Sequence, residues 1–211
     1  MRPCYRHCTP TLAVLALLLA TVPAQAQRDD ADATRLTNAL HLRPGMTVLE
    51  VGAGNGTLAL AVARVVGESG HVYASEIDAR QRGAIERAAA AATLANITVV
   101  EGRPADANVA DGCCDAVFMR NVYHHFDDPA AMNASLFRAM KPGALLAIID
   151  FPPRGGDEAQ HAAERDAGGA HGVGPRSVEA ELRGAGFELV ETDEPGAGRW
   201  FMVVARKPAA P

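Results

Sequence analysis

Residues 48–60 read VLEVGAGNGTLAL, an apolar run that leads into three glycines and then into a second apolar stretch. The run at 47–51 is typical of a buried β-strand, and residues 57–66 have the composition of a helix. Glycines between such elements let the backbone turn tightly and approach a ligand, and the first turn of the helix presents free N–H groups. The stretch therefore predicts a strand, a ligand-binding turn and a helix.

The spacing of the glycines limits which ligand the turn can hold. Gly52, Gly54 and Gly56 follow one another at intervals of two and two positions, whereas the glycines of the dinucleotide fingerprint GxGxxG follow at intervals of two and three. Glu50 lies in the preceding strand, where a carboxylate repels a pyrophosphate but accepts hydrogen bonds from an ammonium group. The loop therefore favours a zwitterionic ligand over a phosphate.

A second carboxylate follows at the end of the next predicted strand. HVYASEID at 71–78 places Glu76 twenty residues after Gly56. A carboxylate at that strand end binds ribose hydroxyls in nucleoside and dinucleotide sites alike, so Glu76 does not discriminate between them. A turn without a ligand is the alternative interpretation of the glycines, and Glu50 together with Glu76 argues against it.

Strand and helix patterns alternate along the rest of the chain. A helix is expected at 27–41, strands at 71–75, 97–100, 115–119 and 144–150, and helices at 80–94, 129–140 and 177–184. Strands at 187–191 and 200–206 are joined by the turn-rich DEPGAG without a helix, so they are expected to be antiparallel. The pattern predicts an α/β fold, a doubly wound, mainly parallel seven-stranded sheet that ends in an antiparallel β-hairpin.

The amino-terminal 26 residues have the parts of a secretory signal peptide. Arg2 and Arg6 precede an apolar run of 11 residues at 12–22, and small residues follow up to Ala26. Such a run is short for a bilayer-spanning helix, which takes about 20 residues. We expect a signal peptide at 1–26, export to the periplasm or medium, one domain at 27–211 and no stable membrane anchor after cleavage.

Charge and cysteine content exclude other classes of function. Removing residues 1–26 takes away two of 20 basic residues and none of the 25 acidic ones, which leaves a formal net charge of −7. The chain has no basic stripe, so we expect no nucleic-acid partner. Cys113 and Cys114 are adjacent, and neighbouring cysteines rarely bridge, so a loop and a strand edge are expected there. His161 and Glu164 lack a further ligand at matching spacing, and no metal site is predicted.

Five segments together resemble the class I S-adenosylmethionine-dependent methyltransferases, which have a Rossmann-like fold. The resemblance spans about residues 35–207 and rests on LRPGMTVLEVGAGNGTLAL, HVYASEID, DGCCDAVFMRNVYHHFDD, LFRAMKPGALLAIIDF, and AGFELVE with RWFMVVARKP. The first and fourth segments are the most specific, because the KPG turn before an apolar strand is habitual in this family.

The resemblance implies S-adenosylmethionine as cofactor. It assigns the methionine part to Glu50 and the loop residues Gly52, Ala53, Gly54, Asn55 and Gly56. It further assigns the ribose to Glu76 and the adenine face to Ile77. After the third strand the family commonly has an Asp that binds the adenine amino group, whereas VVEGRPAD places Arg103 there. Asp106 is the candidate to reach the adenine instead, or the amino group bonds to backbone only.

The fourth strand leads towards the acceptor side of the site. Asn121, Tyr123, His124 and His125 follow DAVFMR, where strand ends face the ligand crevice. The resemblance favours His125 over His124 as the acceptor-facing residue. Imidazole can take a proton at neutral pH, so the candidate roles are general base, acceptor binding, or a purely structural hydrogen bond.

Residues 151–176 form a long Gly- and Pro-rich segment that is expected to be a lid or binding loop. The sequence as a whole predicts an exported S-adenosylmethionine-dependent methyltransferase that acts on a small-molecule acceptor. A non-catalytic protein that binds S-adenosylmethionine or S-adenosylhomocysteine on the same scaffold is the alternative. An NAD-dependent dehydrogenase is a weaker one, opposed by the loop spacing, Glu50 and the KPG turn.

Overall fold

The protein folds around one seven-stranded sheet. The structure, a computed structural model, describes residues 24–153, 171–193 and 200–209. The strands are β1 (Thr47–Val51), β2 (His71–Glu76), β3 (Ile97–Glu101), β4 (Cys114–Arg120), β5 (Met140–Asp150), β6 (Glu188–Asp193) and β7 (Phe201–Arg206). Their order in the sheet is β3-β2-β1-β4-β5-β7-β6.

Strand directions match the doubly wound arrangement that the sequence predicts. β1 pairs in parallel with both β2 and β4, and the pairs β2–β3 and β4–β5 are also parallel. β7 is antiparallel to its two neighbours, β5 and β6. The chain leaves β1 towards one edge of the sheet and returns at β4 to build the other half. Ligands of such sheets bind at this switch point, at the carboxyl ends of the strands.

Helices cover both faces of the sheet, and side chains of alternating direction fill the two cores. The helices are α1 (Ala24–Ala39), α2 (Thr57–Val66), α3 (Ala79–Ala91), α4 (Pro129–Ala139) and α5 (Pro175–Gly184). In β4, Ala116 and Phe118 pack in the core that includes α2, whereas Val117 and Met119 pack in the core that includes α4 and α5. β4 is thus buried on both faces, as expected of a central parallel strand.

The largest error among the predicted boundaries, four residues, is at the start of β5, and several other helix and strand ends differ from the expectation by one to three residues. The sequence predicts a helix that ends at Met140, before the KPG turn, but Met140 begins β5 and pairs with Cys114. The register shifts between Cys114 and Ala116, because the turn residues form an irregularity in the strand, with Gly143 at a φ of 79°. An apolar residue between a helix and a strand carries no signal for either, so strand pairing decides where it belongs.

The adjacent cysteines lie where expected, with Cys113 in a loop and Cys114 at the first residue of β4, but the expectation that they do not bridge each other is wrong. Cys113 and Cys114 are joined by a disulfide bond at the start of β4. Cys114 is fully buried in the core that includes α4 and α5, and Cys113 packs against the same core.

Some predicted features lie outside the described residues. They are the apolar run at 12–22, residues 154–170 of the expected lid or binding loop, which include His161 and Glu164, and most of the DEPGAG turn. α1 begins at Ala24, so its first three residues precede the predicted cut after Ala26. In the part of the chain that the structure describes, no helix combines the length and apolar character needed to cross a bilayer.

Candidate active site

A cavity of about 550 Å3 opens at the carboxyl ends of β1, β2 and β4, at the switch point of the sheet. Most of its wall comes from the segments that directly follow these three strands and β3. The lining residues are Glu50, Val51, Gly52, Ala53, Gly54, Asn55, Leu58, Ser75, Glu76, Ile77, Gly102, Arg103, Pro104, Arg120, Asn121, Val122, His125, Phe126, Asp127 and Met132.

The glycine loop forms the floor of the cavity. Gly52 adopts a φ of 69°, in the left-handed region that side chains disfavour. A Cβ atom on Gly52 would lie 2.3 Å from Cγ2 of Val122, which follows β4. The loop therefore approaches the neighbouring strand end more closely than any residue with a side chain allows.

Glu50 is a buried carboxyl group in the cavity wall. Its side chain is 3% exposed, and Oε2 has no hydrogen-bond partner among the described residues. Burial raises the pKa of Glu50 well above its ordinary value; Arg120 and the backbone at Ala59 oppose this rise, and Glu76 adds to it. The site thus holds an acceptor oxygen that lacks a donor, which is what an ammonium group provides.

Glu76 supports the loop from the end of β2. Oε2 accepts a hydrogen bond from the backbone N–H of Gly54 at 2.7 Å, and Oε1 accepts one from the backbone N–H of Asp78 at 2.9 Å. A carboxylate has about four lone-pair directions, so each oxygen can accept a further bond from a ligand. Glu76 therefore both fixes the loop and presents acceptors to the cavity.

The far end of the cavity is apolar on one side. Ile77 is 62% exposed although it is large and hydrophobic, and it lies in the cavity wall. Arg103 also lines the cavity, as does Gly102. The structure does not bring Asp106 there, because its carboxylate accepts a bond from the N–H of Asn108 at 2.6 Å and faces Arg138 at 3.7 Å.

Arg120 is a cavity residue that the sequence does not single out. Its guanidinium contacts Asp29 at 2.5 Å and Asp32 at 3.0 Å, both on α1. Burial opposes the charge, but the hydrogen bonds to the two carboxylates outweigh it and raise the pKa of Arg120 above its ordinary value. These contacts tie α1 to the end of β4 and keep one positive charge beside Glu50.

The two candidate catalytic histidines take different positions. Residues Tyr123–His125 form a short 3-10 helix after β4, so successive side chains point in different directions. His125 is exposed and lines the cavity, whereas His124 is buried and bonded to Asp150 at 2.8 Å. Asn121 also lines the cavity, with a φ of 58° and a buried Oδ1 that has no partner in the described part of the chain.

Most of the sequence-predicted site residues are thus together in one cavity, and Gly56, His124 and Asp106 are outside its wall. Gly56 instead caps the start of α2. Sequence reasoning did not assign the other wall residues to the site, namely Val51, Leu58, Ser75, Gly102, Pro104, Arg120, Val122, Phe126, Asp127 and Met132. Those that follow strand ends could have been found from the expected strand boundaries.

Comparison with known proteins gives consistent results. A family model described as a methyltransferase domain matches residues 24–192. A ubiquinone/menaquinone biosynthesis C-methyltransferase of Vibrio cholerae is 26% identical over 110 residues, 52% of this chain and 42% of the relative. A 2-phytyl-1,4-naphtoquinone methyltransferase of Trichormus variabilis is 36% identical over 110 residues, 52% of this chain and 48% of the relative. The aligned part thus spans about half the length of these curated relatives.

A solved structure agrees over a larger region. The SAM-dependent methyltransferase of Aquifex aeolicus superposes with a TM-score of 0.71 at 26% identity, covering 89% of this chain and 99% of that protein. S-adenosylmethionine is the cofactor expected of this family. The fold, the cavity at the switch point and these matches agree with one another, and the chain belongs to the methyltransferase domain family, among the class I S-adenosylmethionine-dependent methyltransferases.

Proposed function

We propose that this chain transfers a methyl group from S-adenosylmethionine to a small-molecule acceptor in the cavity described above. The observation that carries the proposal is Glu50, whose buried Oε2 lacks a donor in the described part of the chain. When bound, the cofactor supplies a methyl group on a sulfonium centre.

Taken in sequence order, four parts of the cavity wall match the ammonium group, the carboxylate, the ribose and the adenine of this cofactor. Glu50 accepts hydrogen bonds from the ammonium group, and the carboxylate lies against the glycine loop and the N-terminus of α2. The carboxylate of Glu76 takes the ribose hydroxyls, and Ile77 covers one face of the adenine. An exposed isoleucine beside the cavity is explained by this contact, because an aromatic base removes its surface from water.

His125 faces the acceptor side of the cavity. Phe126 and Met132 provide apolar wall near it, and Asp127 provides a charge. His125 is the residue that binds the acceptor or takes its proton, while His124 positions the turn through Asp150. By their names, one curated relative belongs to ubiquinone/menaquinone biosynthesis and the other is a methyltransferase of 2-phytyl-1,4-naphtoquinone, so a hydroxylated aromatic ring is the first acceptor class to test.

Replacement of Glu76 by alanine should weaken cofactor binding about 10- to 100-fold. Each lost hydrogen bond to a charged group contributes about 1.5–3 kcal/mol, and about 1.4 kcal/mol corresponds to tenfold. The measurement is calorimetry of the full chain with S-adenosylhomocysteine. An unchanged affinity in a folded Glu76→Ala variant rules out the ribose role.

Glu101→Ala is the matched control for Glu76→Ala. Glu101 is the partner of Glu76 in the β2–β3 register, but its side chain is 74% exposed and its carboxylate lies 3.9 Å from the guanidinium of Arg82. The same charge is removed, so affinity should stay within about twofold. Thermal unfolding of both variants checks that the loop survives the loss of the Gly54 contact.

Turnover separates an enzyme from a binding protein. The full chain is incubated with S-adenosylmethionine and a panel of quinols, phenols and thiols, and S-adenosylhomocysteine is quantified. Production with one acceptor class, lowered by His125→Ala without loss of cofactor affinity, supports methyl transfer. Binding of both adenosyl ligands without turnover favours the non-catalytic alternative, and binding of NAD alone refutes the proposal.

We also propose that the chain is exported, on the basis of the basic start, apolar run and small residues at 1–26. Fusion of residues 1–30 to a reporter that is active only outside the cytoplasm tests this. Reporter activity that is lost when the apolar run at 12–22 is interrupted by charged residues supports export. A silent fusion that is nevertheless expressed contradicts it.

A further inference from the structure

Three histidines from two separate segments meet beside the acceptor side of the cavity. One potential ligand nitrogen from each of His124, His125 and His171 lies within 4.8 Å of the others. The ring centroids of His124 and His125 are 4.0 Å apart, and those of His124 and His171 are 4.5 Å apart. The cluster exists only in the folded chain, because His171 follows the turn by more than 40 residues.

Backbone contacts fix the segment that carries His171. The N–H of Val173 donates to the carbonyl of Phe151 at 3.0 Å, just after β5. A Cβ atom on Gly172 would lie 2.7 Å from the same carbonyl oxygen, so only glycine permits this approach. His171 is therefore held against the end of β5, next to the 3-10 turn.

His124 is prepared for a ligand on its second nitrogen. Its Nδ1 lies 2.8 Å from Oδ1 of Asp150, which is fully buried and also accepts bonds from the backbone N–H groups of His124 and Phe151. A carboxylate can only accept, so Nδ1 carries a proton, and in the neutral imidazole Nε2 then holds a lone pair. That Nε2 is buried and has no hydrogen-bond partner among the described residues. A buried polar atom without a partner destabilises the fold unless a ligand supplies one.

We propose that His124, His125 and His171 form a binding site for a divalent transition-metal ion of borderline softness, with zinc as the representative. Imidazole nitrogen suits these ions, and metal-bound histidines usually donate their other N–H to a carboxylate, as His124 does to Asp150. The sequence alone predicts no metal here, since the third ligand is distant along the chain.

The geometry requires a small closure of the cluster. Zinc–nitrogen bonds of about 2.0–2.1 Å in a tetrahedron place ligand nitrogens about 3.3 Å apart. His125 and His171 are both exposed, so rotation of their side chains can bring the nitrogens together around the fixed Nε2 of His124.

Three protein ligands leave a fourth coordination position for an exogenous group. His125 belongs to both the cluster and the cavity wall, so this position is close to the acceptor side. An acceptor hydroxyl or thiol would bind there and be polarised by the metal. With the metal bound, His125 acts on the acceptor through the metal and does not itself take the proton. This consequence rests on the proposed methyl transfer, whereas the metal site does not.

The test uses the full chain, free of any polyhistidine tag and stripped with a chelator, and titrates it with zinc by calorimetry. We expect one zinc ion per chain. His171→Ala removes an exposed ligand and should lower zinc affinity at least about tenfold. His41→Ala, in the turn before β1, removes an exposed histidine elsewhere and should leave zinc affinity unchanged. Absence of zinc binding, or equal binding by His171→Ala, overturns the proposal and leaves simple ring packing against Phe151.

A second variant tests the role of Asp150 as a positioning residue. Asp150→Asn should weaken zinc binding about 10- to 100-fold and shift the visible absorption of the cobalt-substituted protein. An unchanged cobalt spectrum overturns this part. Titration of the stripped chain with S-adenosylhomocysteine keeps the two proposals distinct. Binding of S-adenosylhomocysteine without binding of zinc overturns the metal site and leaves the proposed function standing. Binding of zinc without binding of S-adenosylhomocysteine overturns the proposed function and leaves the metal site standing.

Discussion

Glu50→Gln should weaken binding of S-adenosylhomocysteine about 100-fold and at the same time make the free protein more stable. Glutamine keeps the size of the side chain but cannot provide a full negative charge for the ammonium group. Loss of a charge-assisted, buried contact of this kind costs about 1.5–3 kcal/mol. The glutamine amide weakens binding further, because its N–H groups face the N–H donors of the ligand.

The gain in stability follows from the direction of the pKa shift. Burial raises the pKa of Glu50 in the folded protein above its value in the unfolded chain, so the folded state holds this proton to higher pH. Stability therefore falls as pH rises from the ordinary carboxyl range through the folded pKa, and the loss is complete above it. The Glu50→Gln variant has no titrating group at this position. Its free energy of unfolding should therefore exceed that of the parent by an amount that grows as the pH rises from the ordinary carboxyl range through the folded pKa of Glu50.

Thermal unfolding at several pH values measures this effect. We expect the two proteins to be similar near pH 4 and the variant to be more stable near pH 8. A difference of about 1 kcal/mol corresponds to about 2–4 °C in Tm for a domain of this size. A variant that is less stable than the parent at every pH contradicts the assignment of Glu50 as a buried, unsatisfied carboxyl group.

Proton release offers an independent check on the same residue. We expect the ammonium group to bind to the charged form of Glu50. At any pH at which Glu50 is protonated in the ligand-free protein, the parent protein therefore releases a proton when the ligand binds. Calorimetry at pH 6.5 in buffers of different ionisation enthalpy measures the number of protons released. The Glu50→Gln variant should release fewer protons, and equal release by both proteins points to another group.

The local part of this site could be predicted from the sequence because its signals are local. Glu50, the glycine loop and Glu76 lie within 27 residues, and each follows from its position at a strand end. The fold could be predicted for the same reason, since alternating strand and helix patterns leave few arrangements. The boundary at Met140 could not, because β4 pairing and a strand irregularity decide it.

Contacts between segments that are distant in the sequence could not be predicted from sequence patterns. Arg120 bonds to Asp29 and Asp32 from 91 and 88 residues away, and no spacing rule connects an arginine at a strand end to a helix near the amino terminus. The histidine cluster is missed for the same reason. Asp106 shows the opposite error, because its position in sequence is close to the site, yet a local turn with the N–H of Asn108 directs its carboxylate elsewhere.

Gly52→Ala should lower the free energy of unfolding by about 2–4 kcal/mol. An alanine at a φ of 69° is strained by about 1–2 kcal/mol, and its Cβ would lie 2.3 Å from a methyl group of Val122. Valine is stiff about χ1, so the methyl group cannot rotate away without meeting other neighbours, and overpacking of this kind costs about 1–3 kcal/mol. Denaturant unfolding measures the total.

Two further variants divide this total into its parts. Gly54→Ala has a similar φ of 54° but no atom within 4 Å of the new Cβ, so it should show the backbone strain alone, about 1–2 kcal/mol. Val122→Ala added to Gly52→Ala should recover the steric part, giving a favourable coupling energy of about 1–2 kcal/mol in a double-mutant cycle. Additivity within about 0.5 kcal/mol would mean that the loop after β1 and the segment after β4 are not in contact. These two segments form the floor and wall of the cavity at the switch point. Their coupling energy therefore measures how tightly the two sides of the proposed cofactor site pack against each other.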